Sequence, residues 1–146
     1  MNRIAFYFLM IIIVFVYYLV IDGTMIYIYT GKVFGNMIKN IQKGEPMKTR
    51  MIPGILCFIL LAFGYVYFIL PKIRDDYIIL DSARYGAVFG LVLYGVYDLT
   101  NLSTFGKYKT STAIIDILWG GILGFIITIL GTLTRIRLQK LLATNF

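Results

Sequence analysis

The chain of 146 residues has no histidine and a single cysteine, Cys57, and only 14% of its residues carry charge. Without histidine the commonest general base and metal ligand near neutral pH is missing, which excludes His-based catalysis. One cysteine closes no disulfide within the chain, so it gives no redox compartment. Equally absent are a glycine-rich phosphate loop, a dinucleotide fingerprint and a Ser or Cys nucleophile constellation. No catalytic residue, metal ligand or cofactor is therefore assigned. No linker, repeat or low-complexity stretch divides the chain, so residues 1–146 read as one domain.

What is present is apolar. The hydrophobic fraction is 60%, against roughly 45–50% in soluble domains, and the mean hydropathy is +0.83. The class is an integral, multi-pass membrane protein. The net charge of +7 then places basic loops beside anionic lipid head groups and calls for no nucleic acid. The chain fits a plasma or inner membrane or, if the source is a virus, a viral membrane.

Four spans are expected, at about 4–28, 52–70, 82–101 and 112–134. The apolar run Ile4 to Ile21 is followed by no Ala-x-Ala and reads as an uncleaved helix that continues past Asp22. Gly31 to Lys43 has a helical period: Val33, Phe34, Met37, Ile38 and Ile41 share one arc, and Lys32, Lys39 and Lys43 lie opposite. That pattern predicts a basic amphipathic helix on the membrane surface, with Lys32, Phe34, Ile38, Lys39 and Lys43 at the lipid. A helix packed on the bundle is the alternative. Pro53 suits the first turn of span two, and Pro71 ends it. The architecture is all-α: a four-helix membrane bundle with a surface helix between spans one and two.

The third span carries small residues on one face, Ala83, Gly86 and Gly90, followed by Tyr94, Tyr97, Asp98 and Asn101. The fourth repeats Asp116, Gly120, Gly124 and Thr128 at every fourth position. Such stripes let backbones approach closely, within the chain or in a homo-oligomer. Alternating spans bring Asp22, Asp98 and Asp116 to one membrane side, the B side, where span one ends. A carboxylate at the bilayer centre costs roughly 2.5–3.5 kcal/mol on insertion scales. Two arrangements relieve that cost. The three can converge with Tyr94, Tyr97, Thr100 and Asn101 around water, a cation, a proton or a head group. Each can instead pair with Arg50, Lys107 or Lys109. An aspartate near a helix end also gains from interfacial water and, for Asp116, from the helix dipole. Trp119 reads as packing or an interfacial anchor, less readily as a lid over the carboxylates. Lys and Arg counts tie between the two sides, so charge alone sets no orientation. The basic amphipathic helix favours a cytoplasmic B side.

At Tyr97-Asp98-Leu99-Thr100-Asn101-Leu102 the chain resembles the small predicted membrane proteins grouped as domain-of-unknown-function family 2177. The likeness extends over Asp22, the span ending Tyr67-Phe68-Ile69-Leu70-Pro71, the glycine-rich third span and Asp116-Ile117-Leu118-Trp119-Gly120. It departs where the family has a Trp soon after the first-span Asp, here Thr24 and Met25, and a Trp in the third loop, here around Lys107 and Tyr108. The resemblance implies four spans and these motif residues, and carries no activity. Three functions remain open: a small transport or channel protein using the carboxylates, a scaffold assembling through glycine-rich faces, and a lipid-modifying enzyme opening laterally beside Asp98.

Overall fold

The computed structural model describes residues 2–143. Four helices make up the fold: α1 (Arg3–Ile41), α2 (Met51–Lys72), α3 (Asp75–Thr104) and α4 (Thr110–Ala143). Each is long and apolar enough to cross a bilayer. The Asn2 side chain caps α1 by accepting from the Ala5 N–H at 2.8 Å. Left-handed backbone at Lys43 and Gly44 follows the end of α1. Pro53 falls in the first turn of α2, where its missing N–H costs nothing. Extended backbone at Phe105 ends α3.

The first helix does not stop at residue 28. The expected surface helix is its continuation, joined through a π turn at Ile26–Thr30. At about 1.5 Å per residue, 39 residues extend about 58 Å, against a hydrocarbon core of about 30 Å. The last turns of α1 therefore stand beyond that core on the B side. Gly31 permits the π turn, because a Cβ there would lie 2.5 Å from the Ile26 carbonyl oxygen. The apolar face of these turns is covered by protein: Met37 is buried with Tyr108 and Ala113, and Phe34, Ile41 and Leu102 pack around them. Phe34 meets Tyr108 edge-on rather than lipid. Ile38 is half-buried, and Lys32, Lys39 and Lys43 are exposed.

The bundle core joins Met10, Val14 and Tyr18 of α1 to Ala62, Tyr65 and Val66 of α2 and Leu123 and Ile127 of α4. Large apolar side chains such as Phe8, Leu60, Val92 and Leu118 point outward, the reverse of a soluble surface and suited to lipid.

Helices α3 and α4 mesh through their small residues. A Cβ on Gly90 would collide with the Gly120 carbonyl, and one on Gly124 with the Gly86 carbonyl. Thr128 is fully buried, its hydroxyl donating to the Gly124 carbonyl at 2.7 Å. These faces fill each other within one chain. Ala83 departs from the expected stripe and is exposed. A π turn at Ser82–Ala87 widens the spiral there, and the inward face passes from Gly86 to Ser82 and Asp81, both fully buried.

The opposite, A-side end is held by two arginines. Arg74 grips buried Asp81 with its backbone N–H at 3.0 Å, Nε at 2.8 Å and an Nη at 2.7 Å. This raises the already high pKa of Arg74 further. Arg135 of α4 donates to the Leu70 and Ile73 carbonyls at 3.0 and 3.1 Å and pairs with Asp75. It thereby closes the end of α2, where carbonyls have no helical partner.

Candidate functional site

Asp22 sits at about 28 Å along α1 from Arg3, one bilayer core away. It is 7% exposed. Trp119 Nε1–H donates to its Oδ1 at 2.7 Å and the Tyr94 hydroxyl to its Oδ2 at 3.1 Å. A carboxyl acceptor with two neutral donors is thus shared among α1, α3 and α4. Trp119 is therefore a polar partner as well as part of the core.

Asp98 is fully enclosed. The Tyr108 hydroxyl, from the α3–α4 turn, donates to Oδ1 at 2.6 Å. Burial, reinforced by the Asp98 carboxyl, pushes the Tyr108 hydroxyl far above its ordinary pKa, so it stays protonated and remains a donor. Asp98 Oδ2 has no donor. The group within hydrogen-bonding reach of Asp98 is instead the Asp116 carboxyl, which is another acceptor. A bond between them exists only when one of the two carries a proton. Asp116 also lies within electrostatic reach of Asp22. The three expected carboxylates are thus neighbours.

None of them meets a base. The ion pairs among the described residues join Arg74 to Asp81 and Arg135 to Asp75. Lys107 reaches the Asn40 carbonyl, and instead of the alternative pairing with Arg50, Lys107 or Lys109, Asp22 and Asp98 take neutral donors. Nor do the described residues hold a group of three or more His, Cys, Asp or Glu arranged for a metal ion.

A cleft of ≈ 240 Å³ opens beside the cluster, lined by Asp22, Tyr94, Tyr97 and Asp116 with Ile26, Thr30, Gly31, Phe34 and Met47. Asp98 is not in its wall. Tyr97 is exposed at its rim, and Asn101 lies beside the Tyr97 and Tyr108 hydroxyls. Thr100 is exposed and outside the cluster. Its carbonyl accepts from Ser103 and Thr104. The lipid-modifying reading looked for an opening beside Asp98; Asp98 itself is fully buried, and the cleft reaches its neighbour Asp116.

The sequence model of a family described as "Predicted membrane protein (DUF2177)" matches residues 7–133. The chain belongs to this family. No curated protein and no solved structure matches it. In this DUF2177 member the matched region spans every residue of the cluster, Tyr108 included. Tyr108 was not among the expected site residues, because it stands in a turn without periodicity. Its one signal was its place in the loop where the family resemblance had led us to expect a Trp.

Proposed function

We propose that the protein is a small transport protein that handles a proton, or a cation exchanged for one, through Asp98 and Asp116 at the B-side border of the bilayer. The observation that carries this reading is Asp98 Oδ2, enclosed and lacking an N–H or O–H donor, on a carboxyl that lies within reach of the Asp116 carboxyl. Two ionised carboxylates so placed repel, and one shared proton turns the repulsion into a hydrogen bond. Tyr108 fixes Asp98, while Asp116 borders the cleft, so the pair has a closed member and an open one. Proton exchange with the outside runs through Asp116. Asp22, an acceptor held between two neutral donors, adds a third carboxyl to the cleft wall. The exposed Lys32, Lys39 and Lys43 flank the site at the level of anionic head groups.

Proteoliposomes with an internal pH dye and an imposed potential test this. Wild type conducts protons, Asp98→Asn abolishes the flux, and the lipid-facing control Leu118→Ala retains it. Flux that survives Asp98→Asn, or no flux in wild type, would sink the reading.

A further inference from the structure

We infer that the cleft between α1, α3 and α4 receives an ammonium group, carried by a free amine or by a lipid head group. The inference concerns the ligand of the same acidic cluster and stands apart from whether protons cross the membrane. Asp116 is 9% exposed and forms part of the cleft wall. No N–H or hydroxyl donor of the described residues satisfies it, and its near neighbour is another carboxyl. Its carboxyl lines the cleft, where a ligand that brings a donor or a positive charge can meet it.

The rest of the wall defines which cation. Phe34, Tyr94 and Tyr97 supply aromatic rings and Ile26 and Met47 apolar surface. Carboxylates with aromatic rings and no base form the environment in which ammonium groups are held, by charge and by the ring faces. A bare metal ion would need several oxygen ligands at close range, and the described residues offer no such group. The ≈ 240 Å³ of space is room for about eight waters at ~30 Å³ each, enough for a small amine. The cleft also opens at the height where the last turns of α1 leave the hydrocarbon, within reach of a head group.

The single tryptophan, Trp119, donates into the site and so reports on it. Choline chloride is titrated into the full chain in phosphatidylglycerol nanodiscs while Trp119 emission is followed, with sodium chloride as the ionic control. A parallel arm compares emission in phosphatidylethanolamine and phosphatidylglycerol nanodiscs. A saturable response to choline, weakened about tenfold or more by Asp116→Asn, identifies a free ammonium ligand. A difference between lipids that Asp116→Asn removes, without a choline response, identifies a head group. Either supports the inference. Tyr97→Ala, which truncates an exposed ring, weakens the response, and Tyr67→Ala, distant from the cleft, leaves it unchanged. The inference is overturned if neither arm responds, if sodium chloride gives the same response, or if Asp116→Asn changes nothing while the variant remains folded. Absence of proton flux in wild type, with choline binding intact, would overturn only the transport reading.

Discussion

Tyr108 decides how the buried Asp98 is tolerated. It donates to a fully buried carboxyl, and removing such a donor leaves a buried acceptor at a cost of about 1–3 kcal/mol. Tyr108→Phe, which keeps the ring against Phe34 and Met37, is expected to lower stability by that amount in detergent–SDS titration. An unchanged midpoint would show that Asp98 does not rely on this donor. At this scale the sequence was legible for half of the site. Asp22, Asp98 and Asp116 were visible because a carboxylate inside an apolar run is costly and conspicuous. Of their donors, Tyr94 was named with them, Trp119 was read first as packing, and Tyr108 was missed. Which ring turns toward Asp22 depends on how α3 and α4 rotate against α1. Asp81 escaped notice because it stands at the end of an apparently solvated connection. Only the fold of residues 72–81 brings Arg74 back onto it.

The α3–α4 hairpin is held by the close approach of two backbones, and two glycines on α3 separate that effect from helix propensity. Gly90→Ala places a methyl against the Gly120 carbonyl, a rigid neighbour, and should destabilise by about 1–3 kcal/mol or more. Gly95→Ala meets nothing within 4 Å and should stabilise by roughly 0.5–1 kcal/mol. Thermal melts of both variants check the contrast, and equal behaviour would mean that the hairpin is not packed through Gly90. The four-residue spacing made the inner stripe readable in advance. The π turns at Ile26–Thr30, Tyr65–Ile69 and Ser82–Ala87 were not readable, since a single extra residue in a turn leaves no mark on hydropathy. Each shifts the phase of the residues beyond it. That shift is why Ala83 left the interface and why the amphipathic turns of α1 run on from the span without a break.

Taken whole, the molecule has one end closed by arginine–carboxylate contacts and another, acidic end closed by the last turns of α1 seated on the α3–α4 turn. Lys109 N–H donates to Met37 Sδ across that seat at 3.2 Å. In a chain with Cys57→Ser, cysteines introduced by Lys39→Cys and by Lys107→Cys should be modified from the same side of sealed vesicles by an impermeant maleimide. Lys72→Cys should react only from the other side. Labelling of the first two from opposite sides would contradict the seat. The partners of Asp22 lie 72 and 97 residues downstream of it. During synthesis α1 therefore enters the membrane carrying a carboxylate whose donors have not yet been made. At roughly 5–20 residues per second, the wait for Trp119 is about 5–20 s. For that interval the nascent chain must hold a bare acid near the bilayer edge. The arrival of the hairpin then neutralises that burden while completing the site, so assembly and the acquisition of function are one event on the translocating chain.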